Sequence, residues 1–277
     1  MNHRIADFDI QLISDGLFEP SIDALVHPDA ETLASARKDW GSDKLRMNIN
    51  VMLLRRGSQL TLIDAGLGEA WDHRFGQGAF GRLRTHLRSQ GIAPGEIGTI
   101  YLTHIHSDHA FGLFDGEEPY FPNATVHAPE GDISHYTDQA ILRQMPEAKR
   151  EPFEIAARLL RVYGDRVRTI AAGKVEAGIE AVALPGHSPG HTGYLIGRKV
   201  LTMGDTVHVP EMQIGDPRIG LRYDHDVEQA RATRIDILNR AERNGWLLNG
   251  AHMDGINRLH RDNGRLAYSE TRDRNLN

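Results

Sequence analysis

The stretch Thr103-His104-Ile105-His106-Ser107-Asp108-His109 constrains this chain more than any other. His104 and His106 stand two apart, so in an extended loop their side chains point the same way. Asp108 and His109 follow at once and can turn toward a second point. Neutral imidazoles with a carboxylate form a donor set that suits zinc, iron, manganese or cobalt at neutral pH. Residues 99–103 ahead of the cluster read as a strand, which puts the donors at a strand end.

Three later stretches repeat the design. Pro185-Gly186-His187-Ser188-Pro189-Gly190-His191 puts a histidine on a glycine-flanked turn after an apolar run. Leu201-Thr202-Met203-Gly204-Asp205-Thr206 puts an aspartate after another, and Trp246-Leu247-Leu248-Asn249-Gly250-Ala251-His252 ends on a histidine. Each alone is weak, because an aspartate after a glycine is usually a turn residue. Polar termini on several apolar strands nevertheless converge naturally at one edge of a sheet, where ligand sites of α/β proteins commonly lie.

The rest of the chain fits a layered α/β protein. Strand-like runs cover residues 8–13, 50–54, 59–63, 123–128, 179–184, 193–196, 200–202 and 246–249, and 266–268 closes a sheet. The run 59–63 leads into the polar loop Asp64-Ala65-Gly66. A helix is predicted over 80–90, with Phe80, Leu83 and Leu87 on one face and Gly91 as its stop. Residues 139–163 read as mainly helical, interrupted near Pro146 and Pro152. A long helix over 227–243 has Asp226 as N-cap and Gly245 as stop. With no linker tract, residues 1–277 read as one domain.

Composition removes several function classes. There is no cysteine, which excludes a disulfide framework, a cysteine zinc finger and a thiol nucleophile. A net charge of −6 offers no attraction to nucleic acid or an anionic membrane. Arg82, Arg84 and Arg88 are interleaved with Leu83 and Leu87, the pattern of an amphipathic helix with a solvated basic face. The opening residues lack a signal-peptide apolar region and no run approaches a membrane span, so cytoplasm is the default location. Monomer and homodimer both remain open.

The HxHxDH block, the later lone histidine, the Gly-Asp and the final histidine arrive in the order found in the metallo-β-lactamase-fold hydrolases, which this sequence resembles from Asp64 to His252. The resemblance implies an αββα sandwich, two mixed sheets flanked by helices, with two divalent metal ions at one edge. Zinc is the first choice of ion, with manganese, iron or cobalt as alternatives. Carried over position by position, His104, His106 and His187 hold one ion, Asp108, His109 and His252 the other, and Asp205 bridges both. The resemblance gives Asp64 the task of supporting a metal-binding histidine, and His191 a structural place behind the ligands. It implies hydrolysis by a hydroxide shared between the ions, with Asp108 passing a proton to the leaving oxygen.

Around these positions the chain is most similar to the branch containing acyl-homoserine lactonases and methyl parathion hydrolase. Ser14-Asp15-Gly16, the 48–54 strand, Tyr120-Phe121-Pro122-Asn123-Ala124 and Asp216-Pro217 carry the likeness to the latter. The implied substrate is a small lactone or related carboxylic ester, with an organophosphate triester as the alternative. Lactonases of this branch often place a tyrosine three residues after the bridging aspartate, where it binds the lactone carbonyl. Here His208 stands there, either as a hydrogen-bond donor to substrate or packed in the loop. Phe111, Phe114, Met212 and Tyr223 are the candidate pocket wall. A thioesterase lacks its basic C-terminal segment here, and a β-lactamase lacks its signal peptide. Flavodiiron oxidoreductases usually carry a glutamate where this chain has His106. A non-catalytic binding protein would have no need of all seven donors.

Overall fold

The computed structural model describes residues 2–176 and 178–276. Two seven-stranded mixed sheets each run through their strands in chain order. The first is built from Asn2–Ile5, Phe8–Phe18, Met47–Arg56, Gln59–Ile63, Ile97–Tyr101, Thr125–Pro129 and Val167–Ile170. The second is built from Gly173–Glu176, Ile179–Ala183, Thr192–Ile196, Val200–Thr202, Leu247–Gly250, Met253–Asp262 and Arg265–Glu270.

The two-residue period of the strands produces the layering, because alternate side chains enter different cores. From Met47–Arg56, Val51 and Leu53 join Leu83, Leu87, Phe153 and Leu159 of the covering helices. Their neighbours Met52 and Leu54 face the other way and pack with Tyr194, Ile196 and Leu247 of the second sheet. In the second sheet, Leu195, Leu201 and Leu248 share a third core with Ile237, Leu238 and Ala241 of the helix Val227–Asn244. Both faces of the central strands are therefore buried, and the layers follow as helix, sheet, sheet, helix. The fold is the αββα sandwich.

Strand direction gathers the polar loops. Gln59–Ile63 and Ile97–Tyr101 run parallel, as do Val200–Thr202 and Leu247–Gly250. Ile179–Ala183 and Val200–Thr202 both pair antiparallel with Thr192–Ile196, so these two also run the same way. The sheets are tied together beside these strand ends. Thr192 N donates to Thr103 O at 2.9 Å, Asn50 N to Ala251 O at 2.8 Å, and the Tyr194 hydroxyl to Leu102 O at 2.8 Å.

Several elements differ from the sequence expectation. The helix expected over 80–90 is Arg82–Ser89, because Gly81 takes a left-handed conformation and leaves Phe80 outside it, packed with Ile49 and Leu67. Pro146 interrupts the 139–163 segment, but Pro152 opens the helix Glu151–Tyr163, in the first turn where the missing N–H has no partner to lose. The helix Ala30–Trp40, capped by Asp29, is not among the expected elements; none of its residues is fully buried, and it packs only the short stripe Leu33, Ala36 and Trp40 against a small core. The closing strand is longer than 266–268 and forms a hairpin with Met253–Asp262. Arg84 is largely covered, with its guanidinium 3.9 Å from the Tyr120 ring centre, whereas Arg82 and Arg88 are exposed. Among the described residues no helix is long and apolar enough to cross a membrane.

Candidate metal centre

Hydrogen bonds on the outer side of the imidazoles fix which nitrogen faces inward. His109 Nδ1 donates to Asp64 Oδ2 at 2.8 Å, His187 Nδ1 to Asp224 Oδ1 at 2.9 Å, and His252 Nδ1 to Asn48 O at 2.5 Å. The Thr103 hydroxyl donates to Asp64 and accepts from His104 Nδ1 at 3.1 Å. These partners put protons on four Nδ1 atoms and leave the four Nε2 lone pairs pointing into the site, the arrangement a metal-binding imidazole needs. His106 alone presents Nδ1 inward.

The inward atoms converge on two neighbouring points. His106 Nδ1 lies 3.0 Å from both His104 Nε2 and His187 Nε2. The second group is Asp108, His109, Asp205 and His252, with one donor atom from each lying within 4.8 Å of the others. Asp205 connects the two: Oδ2 is 3.0 Å from His252 Nε2 and 3.4 Å from His187 Nε2, while Oδ1 is 3.2 Å from His109 Nε2. Ions with bonds of about 2.0–2.2 Å hold adjacent ligands about 3.0–3.5 Å apart, so these separations suit a shared cation.

The donors also leave polar atoms that only a cation would satisfy together. One proton on His106 Nδ1 can face only one of its two neighbouring lone pairs. His109 Nε2 and Asp205 Oδ1 are buried and have no hydrogen-bond partner. Burial, then the neighbouring imidazoles, push the pKa of His106 down to about 3, which keeps it in the neutral form a metal requires. At His109 and His252 burial acts in the same direction, but Asp205 and Asp108 outweigh it and raise both. Protons and divalent cations would therefore compete for the same negative pocket. Residue type, tautomer and spacing all fit two divalent ions.

Behind the donors stand carboxylates that the sequence does not mark. Asp132 accepts from Ile105 N at 2.9 Å and Gly190 N at 2.6 Å, joining the first histidine loop to the His187 turn. Burial raises its pKa despite these bonds. Asp224, besides holding His187, lies 3.5 Å from the fully buried Arg234. His191 sits as expected behind the site, its Nδ1 donating to Leu184 O and its Nε2 accepting from Asp205 N, both at 3.0 Å. Gly204 makes this approach feasible, since a Cβ there would lie 2.5 Å from His191 Nε2 and its φ is +51°. Asp64 itself has φ +63°, a left-handed position that short acids tolerate better than most residues. Asp64→Asn removes the charge that orients His109 and is expected to weaken binding of one ion about 10–100-fold, measured by competition with a coloured chelator.

A cleft of about 380 Å³ opens over these donors. Phe18, Met47 and Trp71 line it from the first half of the chain, and Tyr136, Met145 and Phe153 from the helical layer. Lys149, Glu151, Arg222, Tyr223, His135 and His225 add polar groups. Of the four expected wall residues, only Tyr223 is there. Phe114 is buried in the first core, because the turn Phe111–Leu113 folds back onto Ala65 and Gly66; Phe111 packs in the same direction. Met212 lines a separate, larger cavity of about 600 Å³ beside Trp40 and Arg218, carried there by the short helix Pro210–Gln213.

Fold and donor set together define a metal-binding α/β sandwich. The chain belongs to the metallo-beta-lactamase superfamily, whose family model matches residues 46–242. Among solved structures it is similar to the hydrolase AbOPH of the beta lactamase superfamily, at 24% identity over 98% of this chain and 96% of that one, with a TM-score of 0.84. It is similar to AidC, a dizinc quorum-quenching lactonase in complex with a homoserine product, at 20% identity over 98% and 97% and a TM-score of 0.83. A probable metal-dependent hydrolase from Staphylococcus aureus aligns at 19% identity over 97% and 99%, with a TM-score of 0.77. No curated protein matches the sequence significantly.

Proposed function

We propose that this protein is a dinuclear metal-dependent hydrolase that opens a lactone or a related carboxylic ester. The observation that carries this reading is the pair of neighbouring donor groups, with Asp205 in one and 3.4 Å from His187 of the other, at the base of a cleft with apolar walls. Two divalent ions held there would supply Lewis-acid polarisation and a water that ionises near neutral pH. The chain supplies everything else. Asp205 has a side chain 4% exposed and is surrounded by imidazoles, whereas Asp108 is 19% exposed and reaches the cleft. Asp108 is thus the carboxylate placed to pass a proton to a leaving oxygen. Tyr223 stands in the same cleft near enough to Asp108 for that charge, after burial, to help raise its pKa, so its phenol is a donor at neutral pH.

The walls favour a neutral substrate with an apolar arm. Phe18 and Trp71 meet edge to face at 5.5 Å and present a fixed surface on one side. Trp71→Ala is expected to raise KM for a long-chain acyl lactone about tenfold, with a smaller effect on a short-chain one, since the lost contact is apolar area. Kinetics across acyl lengths check this. The same aromatic surface suits an aryl phosphotriester, which is the second reading; the likeness to the hydrolase AbOPH supports hydrolysis in general, and that to the lactonase AidC supports the first reading. The deciding experiment is turnover of the metal-loaded protein on lactones of graded acyl length, aryl phosphotriesters, thioesters and cephalosporins. Lactones are expected to turn over fastest; rapid phosphotriester cleavage with lactones untouched would overturn the first choice.

A further inference from the structure

His208 has no assigned role in either donor group, yet its geometry is that of a ligand. Its ring is 1% exposed, and neither ring nitrogen has a hydrogen-bond partner. A histidine that merely packs in a loop leaves two polar atoms buried at a cost of about 1–3 kcal/mol each, which natural cores avoid. His208 lines the floor of the cleft beside His187, Asp205 and His252, and it is as deeply buried as those three donors. Nε2 lies 3.4 Å from Asp205 Oδ2 without hydrogen-bonding it, the same distance that separates His187 Nε2 from that oxygen. His187, Asp205 and His208 together form a third donor group, one atom from each lying within 4.8 Å of the others.

The chain also holds His208 rigidly. The buried Gln213 carbonyl accepts from His208 N at 2.7 Å and Val209 N at 2.8 Å, and its amide donates to Ile219 O at 3.0 Å. The ring stacks on His252, with centres 5.3 Å apart and planes 19° apart.

We infer that His208 is an eighth metal ligand, whose Nε2 adds to His104, His106, His187 and Asp205 around the first ion. This rests on the two-ion reading above. Five protein donors exceed the four of an ordinary structural zinc site, so the first position suits an ion that accepts a higher coordination number.

The test is a Co2+ titration of the metal-free full-length protein, followed by visible absorption, on wild type, His208→Ala and His208→Gln. Thermal melts in excess Co2+ verify that each variant is folded. Both variants are expected to bind the first ion at least about tenfold more weakly and to shift the ligand-field bands, with the second ion little changed. The inference is overturned if either folded variant binds both ions with wild-type affinity and an unchanged spectrum. Wild type that binds two ions but hydrolyses nothing would sink the proposed function and leave this inference standing. Wild type that binds no ion would sink both.

Discussion

Asp205→Asn is expected to lower kcat/KM about a thousandfold on whichever substrate the protein hydrolyses, and to drop the bound metal from two ions per chain to one or fewer. The amide has the same shape but little affinity for a cation. Asp205 lies within 3.4 Å of imidazole nitrogens from His109, His187 and His252, so its charge is felt by both donor groups. Binding of metal to the native state alone stabilises it by mass action, so added Zn2+ should raise the melting temperature of wild type far more than that of the variant. Metal analysis by mass spectrometry and melting curves with and without chelator read both effects. An equal metal content in the two proteins would contradict the bridging role.

Arg234→Met is expected to destabilise the fold by about 3–5 kcal/mol, the cost of leaving a buried charge without its partner. Arg234 is fully buried; its Nε donates to Thr206 O at 2.6 Å and its Nη1 to Ile219 O at 2.8 Å and Pro217 O at 3.2 Å. It thereby fixes the loop that follows Asp205. Its Nη2 lies 3.5 Å from Asp224, the carboxylate that orients His187. Burial works against the Asp224 charge, but the hydrogen bond and charge of His187 lead the groups that outweigh it and lower the pKa, the arginine adding a smaller part. A chain of this size loses a few degrees per kcal/mol, so the melting temperature should fall by roughly 10 °C. The same substitution in an Asp224→Asn background should cost less, since no unpaired carboxylate is left behind. Equal losses in both backgrounds would place the arginine's contribution in its carbonyl contacts alone.

The donors were legible in the sequence because each is tied to a local pattern. An apolar strand ends, a glycine turns the chain, and a histidine or aspartate follows, as at Gly186-His187 and Gly204-Asp205. The long helix was legible for a similar reason, with Asp226 accepting from Gln229 N and Gly245 left-handed at its end. The cleft was not. Its walls pair Phe18 and Trp71 with Tyr136 and Phe153, which only the packing of two layers brings together. Phe111 and Phe114 were the nearer choice in sequence, but the intervening turn faces them toward the core. Asp132 and Asp224 look like ordinary helix and loop acids until the chain folds around Ile105 and His187. One hairpin could have been found: Asn263-Gly264, both at positive φ, joins Met253–Asp262 to Arg265–Glu270 and is a strong short-range turn signal.

The most direct measurement is anomalous diffraction from crystals of the full-length protein grown with Zn2+ or Mn2+. Two peaks about 3.5–4 Å apart are expected, one among His104, His106 and His187 and the other among Asp108, His109 and His252, with Asp205 between them. A single peak, or none within reach of these side chains, would contradict the two-ion centre.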